Sequence, residues 1–449
     1  MSADIAKYMA RPVPRYTSYP TVPHFDASVT GETYRGWLGA LDTARPVSLY
    51  LHVPFCRQLC WYCGCNMKLA SRYEPVAKYV DVLLKEIALV ADAVPGRLTV
   101  SHLHWGGGTP TALEPADLAR AMEAVRARFD FADDAEIAIE SDPRTLTPAM
   151  TEMIGALGFN RASFGVQEFD PKVQAAINRI QPPDMVERSV DGLREAGVSA
   201  INFDLIYGLP YQSVESITET VDVCAAMRPD RLALFGYAHV PWMAKKQRMI
   251  PEEALPGAGE RRAQAEAASR RLVTDGYQAI GLDHFALPTD PLAVAARHGE
   301  LHRNFQGYTV DPCETLLGLG ATSIGRTPHG FVQNLVETGA WSRAVGEGLL
   351  PVAKGHAFTG EDALRAEVIE TLMCFAEADI AEISARHGAA PGWCAEAIAE
   401  LAAMQEDGIL VLEDGVVRMT EEGRPLVRVA ASAFDTYFHR GAARHSVAV

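Results

Sequence analysis

Short apolar runs alternate with amphipathic helical segments along the first 280 residues of the chain. Six runs rich in β-branched or other apolar residues each predict a strand: Val47 to Phe55, Val100 to Trp105, Glu136 to Glu140, Arg161 to Gln167, Ala200 to Tyr207 and Arg231 to His239. Between them, apolar residues recur at intervals of three and four, as in Val80, Leu83, Leu84, Ile87 and Val90. Repeated strand-then-helix units predict parallel strands joined by right-handed crossovers. We therefore predict an α/β fold, a partial (β/α)6 barrel of the TIM type, with an open doubly wound sheet as the alternative.

The two ends of the chain follow other patterns. Residues 1 to about 37 are rich in proline and aromatic residues, which predicts an extended arm laid over another part of the protein; a disordered leader is the alternative. From about residue 360 the pattern predicts a small, mostly helical module with one hairpin, because Asp414-Gly415 lies between two apolar runs. Helices followed by a hairpin are typical of a winged helix, but the module is not basic, so we favour a structural role over DNA binding.

We accordingly predict three domains. They are an N-terminal arm over residues 1–45, a catalytic barrel with an extension over 46–355, and a winged-helix-like domain over 356–449. Within the extension, the segment Gly259 to Gly276 predicts a helix. The polar, aromatic and aperiodic segment Leu301 to Thr309 predicts a loop, and the glycine-rich segment Leu317 to Gly325 predicts backbone that can pass close to a cofactor.

Unusual residues stand at the C-terminal ends of the predicted strands. Cys56 follows the first strand, Gly106 to Pro110 follow the second, and Glu140 closes the third. Gln167 ends the fourth strand, and Asp204 lies among apolar neighbours in the fifth. Chemistry in such folds is located at the C-terminal ends of the strands. These signals therefore predict one shared site.

Four cysteines, Cys56, Cys60, Cys63 and Cys65, lie within ten residues. Clustered thiolates select zinc, copper(I) or an iron–sulfur cluster. A structural zinc site usually takes two separated pairs of ligands, so three close thiols favour a [4Fe–4S] cluster with one iron free of protein ligands. Zinc, and then a disulfide loop, are the alternatives. Cys65 lies one glycine beyond Cys63, an awkward chelate, and we expect it near the cluster but outside its ligands.

Composition limits the partners. The 449 residues carry a formal net charge of −16, which argues against nucleic acid or an anionic membrane as partner. The sequence shows neither a signal peptide nor about 18 uninterrupted apolar residues, so we expect a cytoplasmic protein without a membrane span. The other four cysteines are scattered singly, as in a reducing compartment. We expect a monomer.

The Cys-x3-Cys-x2-Cys spacing after a strand resembles the signature of radical S-adenosylmethionine (SAM) enzymes. Its extension through Cys65-Asn66, together with the upstream stretch Arg15 to Thr21, closely resembles the oxygen-independent coproporphyrinogen III dehydrogenase family over almost the full length. The resemblance implies that Cys56, Cys60 and Cys63 bind a [4Fe–4S] cluster whose open iron binds SAM. It also implies a second SAM molecule.

The resemblance places further residues in this site. Those matching contacts to the cluster-bound SAM are Tyr50, Gly107, Glu140, Ala238 and Ile324. Those matching contacts to the second SAM are Tyr62, Gly108, Thr109, Gln167, Arg179 and Asp204. No catalytic residue beyond these cofactor-binding groups is implied, because radical hydrogen abstraction requires no general base.

The substrate implied by the resemblance is coproporphyrinogen III, which carries four anionic propionates. Its binding requires local positive charge in an acidic chain, and the candidates are Arg15, Lys245, Lys246, Arg248, His302 and Arg303. The implied reaction is oxidative decarboxylation of two propionates to vinyls, giving protoporphyrinogen IX in anaerobic haem biosynthesis. It needs an electron donor and an electron acceptor that the sequence does not identify.

Two other functions compete with this enzyme. One is a haem-binding chaperone that resembles this family; such proteins lack the Arg15 to Pro20 stretch and Cys65, both of which are present here. The other is a radical SAM methyltransferase that acts on haem.

Overall fold

The computed structural model describes residues 7–9 and 11–438. These residues form two compact units: the larger comprises residues 26–275 and 313–357, and the smaller comprises residues 7–9, 11–25, 276–312 and 358–438. The helix Gly31–Gly39, within the predicted arm, belongs to the larger unit. The domain boundaries given above at residues 45 and 355 stay predictions.

Strands and helices are numbered here in chain order. The strands are β1 Val47–Val53, β2 Phe55–Cys56, β3 Lys68–Leu69, β4 Thr99–Gly107, β5 Asp130–Ser141, β6 Arg161–Gln167, β7 Ala200–Tyr207, β8 Arg231–Gly236, β9 Gln278–Ile280, β10 His284–Ala286, β11 His302–Asn304, β12 Gly307–Thr309, β13 Leu316–Leu319, β14 Ile324–Thr327, β15 Gly330–Asn334, β16 Val352–Ala357, β17 Glu377–Asp379, β18 Leu410–Glu413 and β19 Val416–Met419. The helices are α1 Gly31–Gly39, α2 Glu74–Ala93, α3 Pro115–Arg128, α4 Pro148–Ala156, α5 Pro171–Ala176, α6 Pro183–Glu195, α7 Val214–Ala226, α8 Ala258–Thr274, α9 Pro291–His298, α10 Thr338–Gly346, α11 Asp362–Phe375, α12 Ile380–Arg386, α13 Ala395–Glu406 and α14 Val427–Ser432.

A mixed sheet forms the centre of the larger unit. Within this unit its strands lie in the order β16-β15-β14-β13-β1-β4-β5-β6-β7-β8. Strands β13, β1 and β4 to β8 pair in parallel, whereas β13 to β16 pair antiparallel. Helices connect β1 and β4 to β8, as parallel pairing requires. All six strands predicted from apolar runs are present, and α8 confirms the predicted helix. The α/β prediction is confirmed, and the open strand order fits a partial barrel.

Burial explains the apolar residues of the central strands. Strand β1 is buried at every position except Tyr50, and Trp105 of β4 is fully buried. Parallel strands covered on both faces are near-continuous apolar runs rather than alternating ones. Polar exceptions to this pattern include Glu140 and Gln167, which lie at the C-terminal ends of β5 and β6.

The smaller unit joins the N-terminal segment to the C-terminal helices. Tyr8, Val13, Tyr16 and Tyr19 are 1–3% exposed and belong to the same apolar core as α11 to α14. Such burial supports the packed arm over a disordered leader for the described residues. Burial of apolar surface in this core is the main contribution to the stability of the smaller unit.

A three-stranded sheet, β17-β19-β18, completes the smaller unit. The hairpin between β18 and β19 confirms the prediction from Asp414-Gly415, which have φ angles of 52° and 84°. Positive φ at both central residues is the geometry of a type I′ turn. Helices α11 to α13 precede this hairpin, as in the predicted winged-helix-like arrangement.

The prediction of a loop over Leu301 to Thr309 was wrong. The segment forms an antiparallel hairpin of β11 and β12, in which Arg303 lies opposite Tyr308 with its guanidinium 4.4 Å from the ring centroid. Three-residue strands are too short to show a period of two in the sequence, so only tertiary contacts reveal them. No helix among the described residues has the length and apolarity needed to cross a membrane.

Candidate active site

The cysteine loop leaves β1 and is fixed at both ends by backbone contacts of the larger unit. Ala70 N donates to Cys56 O over 2.9 Å, and Trp61 N donates to Ile177 O over 2.9 Å. Asn178 Nδ2 donates to Leu59 O over 2.7 Å. The loop is therefore positioned by its own backbone and by the segment that follows α5, and Cys56, Cys60 and Cys63 are all free thiols.

Cys60 lies among buried charges. Its sulfur accepts hydrogen bonds from Arg144 Nη2 and Arg179 Nη1, each over 3.3 Å. Asp142 lies between the two guanidinium groups, at 2.6 Å from Arg144 Nη2 and 3.5 Å from Arg179 Nη1. Arg179 and then Arg144 lower the pKa of Asp142 against the opposing effect of burial, which keeps this carboxyl ionised.

The other two thiols have different surroundings. Cys56 Sγ lies 3.6 Å from Thr109 Oγ1, and burial raises the pKa of the Cys56 thiol to about 11. Cys65 N donates to Cys63 Sγ over 3.4 Å. A hydrogen bond from the Cys65 side chain, and then the Lys246 ammonium, lower the pKa of Cys63. Both the backbone N–H and the thiol of Cys65 thus stabilise the thiolate form of Cys63.

The glycine loop after β4 lies directly against the cysteine loop. Gly108 N donates to Val53 O and Thr109 N donates to Phe55 O, both over 2.8 Å. A Cβ atom at Gly108 would lie 2.6 Å from Phe55 O, and Gly107 has a φ of 116°. Only glycine fits these two positions, because a Cβ at Gly108 would displace Phe55 beside the cysteine loop and one at Gly107 would lie 2.7 Å from His52 Cε1.

Glu140 forms the centre of a second group with Gly107 and Tyr50. Its Oε2 accepts from Gly107 N and its Oε1 lies against His104 Nε2, both at 3.1 Å. The Tyr50 ring stacks on His104 with centroids 5.9 Å apart, and its hydroxyl lies 3.0 Å from His52 Nδ1. Burial lowers the pKa of His52 to about 4, so this imidazole is neutral at pH 7. The Glu140 side chain remains 38% exposed, which leaves it accessible to a ligand.

Gln167 and Arg179 form a third group at the end of β6. Gln167 Oε1 and Arg179 Nε are buried and have no hydrogen-bond partner among the described residues. Arg179 Nη2 donates to Gly165 O over 2.5 Å, and Gln167 has a φ of 68°. Buried polar atoms are nearly always paired, so these two atoms are available to the polar groups of a bound molecule.

Two further predicted residues are placed by polar contacts. Asp204 Oδ2 accepts from Ser163 Oγ over 3.2 Å and its Oδ1 accepts from Asn202 Nδ2 over 3.0 Å. The Tyr62 ring is partly buried and packs against the apolar cluster that contains Ile177. Burial and nearby Cys60 raise the pKa of Tyr62 against the Arg179 charge, so this phenol is neutral.

A buried glutamine outside the predicted set joins the cysteine loop to the end of β8. Gln247 Nε2 donates to Tyr62 O over 2.7 Å and to Ala238 O over 3.1 Å. Its side-chain carbonyl accepts from Val240 N over 2.6 Å. Gln247 therefore links the backbone of Ala238 to that of the cysteine loop, and the predicted SAM contact of Ala238 stays a prediction.

Ile324 begins β14, and the turn before it is held from helix α2. Glu86 is fully buried; its Oε2 accepts from Gly320 N over 2.6 Å and from Trp341 Nε1 over 3.1 Å. Its Oε1 accepts from Asn334 Nδ2 over 2.6 Å. Burial raises the pKa of Glu86 from 4.5 to about 7 despite these donors.

The predicted substrate residues lie in both units. Arg248 is exposed in the 3₁₀ turn Lys245–Met249 of the larger unit. In the smaller unit Arg303 donates to Tyr16 O and Arg15 O over 3.3 and 3.4 Å, and His302 Nδ1 lies 3.2 Å from Glu370 Oε1. Arg15 and Arg303 are thus brought together by the N-terminal segment.

Sequence reasoning missed several residues of the site, among them Asp142, Arg144, Gln247 and Glu86. Asp142 and Arg144 follow Glu140 at the C-terminal end of β5, and that position was the signal that could have found them. Gln247 and Glu86 carry no such signal, since one lies in a short turn and the other on a helix face that is otherwise apolar.

The donors and the cradle fit an iron–sulfur cluster with SAM. Three free thiols supply soft ligands, the glycine loop permits close backbone approach, and the unpaired atoms of Gln167 and Arg179 can bind polar groups. These features lie on one set of strand ends in the larger unit.

Comparisons with known proteins agree with an iron–sulfur and SAM site. Residues 50–224 match the model of the radical SAM superfamily, and residues 358–426 match the HemN C-terminal domain. The chain is similar to oxygen-independent coproporphyrinogen III oxidases of Bradyrhizobium diazoefficiens, at 48% identity over all of both chains, and of Escherichia coli, at 40% identity over 96% of this chain and 94% of the relative. The solved structure of coproporphyrinogen III oxidase (HemN) from Escherichia coli, a radical SAM enzyme, aligns with a TM-score of 0.91 at 39% identity, covering 94% of this chain and 98% of the other.

Membership of the radical SAM superfamily implies that the cysteine loop binds a [4Fe–4S] cluster with SAM, and not zinc. With identity of 48% over the full length, the chain belongs to the oxygen-independent coproporphyrinogen III oxidase family of radical SAM enzymes.

Proposed function

We propose that this chain converts coproporphyrinogen III to protoporphyrinogen IX in anaerobic haem biosynthesis. Each of two propionates loses one hydrogen atom, carbon dioxide and one electron and becomes a vinyl group. The observation that carries this proposal is the meeting of three free thiols with a glycine cradle at one end of the parallel strands. The names of relatives that match over the full length support the substrate.

We assign the cluster to Cys56, Cys60 and Cys63. When bound, the cluster and SAM supply the radical chemistry that removes a hydrogen atom from a propionate chain. Arg144 and Arg179 donate to Cys60, and Cys65 N donates to Cys63, so the protein stabilises negative charge on two of the three sulfurs.

We assign SAM to the groups around the glycine loop. Tyr50, Gly107 and Glu140 form one set connected through His104, and we add to it Ala238, which follows β8, and Ile324, which begins β14. Glu140 is half-exposed and can accept hydrogen bonds from ribose hydroxyls, while Gly107 allows the backbone to approach the amino-acid end.

We assign a second SAM to a separate set. Its members are Tyr62, Gly108, Thr109, Gln167, Arg179 and Asp204. Two buried polar atoms of this set, Gln167 Oε1 and Arg179 Nε, lack partners among the described residues, and a second bound molecule would pair them. Two SAM molecules also match a reaction that takes a hydrogen atom from each of two propionates.

Anionic propionates require cationic side chains for binding. We assign this role to Arg15, Arg248, His302 and Arg303. Arg303 is the strongest of these, because its buried Nη1 has no partner among the described residues. A matched pair of variants tests the assignment: Arg303→Ala should raise the KM for coproporphyrinogen III, whereas Arg297→Ala, an exposed arginine on α9, should not. An unchanged KM for Arg303→Ala contradicts this part of the proposal.

Anaerobic turnover tests the function as a whole. The protein, reconstituted with iron and sulfide and reduced with dithionite, should convert coproporphyrinogen III to protoporphyrinogen IX and release two methionines per product. Cys60→Ser should abolish turnover and lower the iron content, whereas Cys394→Ser, in the smaller unit, should retain both. Retained haem without turnover would indicate a chaperone, and a methylated haem product would indicate a methyltransferase; either result overturns the proposal.

A further inference from the structure

We propose that Arg144 raises the reduction potential of the cluster by donating a hydrogen bond to the Cys60 sulfur. The inference rests on the proposed function only in requiring a cluster on Cys56, Cys60 and Cys63. Arg144 would contact neither SAM nor substrate through this bond, so its role is to position and polarise a ligand.

The guanidinium of Arg144 is held on three sides. Its Nε donates to Asp142 Oδ1 over 2.9 Å, and its Nη1 donates to Gln58 Oε1 over 3.0 Å. Its Nη2 donates both to Asp142 Oδ2 over 2.6 Å and to Cys60 Sγ over 3.3 Å. The side chain is only 4% exposed, so these bonds replace solvation by water.

This arrangement uses the particular shape of arginine. One planar group spans a carboxylate at the end of β5, an amide on the cysteine loop and the cluster ligand itself. A lysine ammonium is a compact donor on a flexible stem and cannot reach all three in one plane. Asp142 also accepts from Arg144 N over 3.0 Å, which fixes the carboxylate that orients the guanidinium.

The local charge balance favours an added electron. Arg144 and Arg179 contribute two positive charges beside the Cys60 sulfur, and Asp142 contributes one negative charge. Reduction of the cluster adds one negative charge, which a net positive surrounding stabilises more than it stabilises the oxidised state. Burial strengthens the effect because the effective dielectric constant is low there. Hydrogen bonds to cluster sulfurs and nearby charge are known means of setting such potentials.

A redox titration of the reconstituted full chain tests the role. The reduced cluster is followed by electron paramagnetic resonance at a series of fixed potentials. Arg144→Gln should lower the ratio of reduced to oxidised cluster at a fixed potential by about tenfold, which for one electron equals about 59 mV. Arg144→Lys, which keeps the charge, should lower the ratio less.

The matched control is Arg128→Gln. Arg128 also pairs with an aspartate, Asp92, over 2.7 Å, but its side chain is 43% exposed on the outer end of α3. Its titration curve should superimpose on that of the unchanged protein. A curve for Arg144→Gln that also superimposes, at equal cluster content, overturns the proposal.

A second measurement, on the unchanged protein, tests the role of Arg144 even if the Arg144→Gln variant does not bind a cluster. Protein labelled with ¹⁵N-arginine should show hyperfine coupling between arginine nitrogen and the reduced cluster in pulsed resonance spectra. That coupling should weaken in labelled Arg144→Lys, and an unaltered or absent coupling overturns the inference. Failure of the unchanged protein to bind any cluster would instead contradict the proposed function, so the two failures are distinguishable.

Discussion

Replacement of Glu86 by glutamine should remove a pH dependence from the stability of the larger unit. Glu86 is fully buried on α2 and accepts three hydrogen bonds, from Gly320 N, Asn334 Nδ2 and Trp341 Nε1. Burial nevertheless raises the pKa of this carboxyl from 4.5 to about 7. Glutamine has almost the same shape, but it cannot ionise.

The sign and size follow from proton linkage. Between pH 4.5 and about 7 the folded state holds a proton on Glu86 that the unfolded state has released, so stability falls as pH rises. Each pH unit in this window costs about 1.4 kcal/mol, and the whole window costs about 3 kcal/mol. The stability contributed by the protonated carboxyl is fully present below pH 4.5 and is lost as pH rises through 7.

Glutamine brings its own cost. Its amide can place the carbonyl toward Gly320 N and Trp341 Nε1, but its amino group then faces Asn334 Nδ2. Two opposed donors cost about 1–3 kcal/mol. We therefore expect Glu86→Gln to be less stable than the unchanged chain near pH 5 and about equal to it near pH 8.

Two measurements check this expectation. Denaturant unfolding of the cluster-free chain, from pH 5 to pH 8, should give a stability difference between the two proteins that shrinks by about 2–3 kcal/mol. Infrared spectra should show a protonated carboxylic acid band that disappears with a midpoint near pH 7 and is absent from Glu86→Gln. The control is Glu74→Gln on the same helix, where the carboxylate is exposed and paired with Lys78. A stability difference that stays constant with pH, or a band that titrates near pH 4.5, would refute the reasoning.

Two other substitutions test the site and the arm. Gly108→Ala places a Cβ 2.6 Å from Phe55 O, so reconstituted cluster content should fall severalfold, whereas Gly64→Ala, which meets nothing within 4 Å, should leave it unchanged; equal losses in both would contradict the cradle. Tyr16→Phe removes a buried hydrogen bond to Asp435 of 3.1 Å and should cost the smaller unit about 1–2 kcal/mol in denaturant unfolding, and a change below about 0.5 kcal/mol would count against this contact.

Most of the strands and helices of the larger unit can be predicted from the local pattern of apolar and polar residues. In the strand Ala200–Tyr207 the buried positions Ile201, Phe203 and Leu205 recur every second residue, so its position could be predicted from the sequence within a residue or two. The hairpin at Asp414-Gly415 was equally predictable because its turn needs residues that accept positive φ. The hairpin at Arg303 was not, because strands of three residues leave no readable period.

What the sequence by itself determined is the chemistry of the site: three thiols at a fixed spacing, a glycine run after the next strand, and polar residues at strand ends. What only the tertiary structure decided is how these groups are supported. Arg144 meets Cys60 across 84 positions of sequence, and Glu86 meets Gly320 across 234. Such partners are joined by packing and burial rather than by any local period, so a buried arginine or glutamate has the same appearance in the sequence as an exposed one until the chain folds around it.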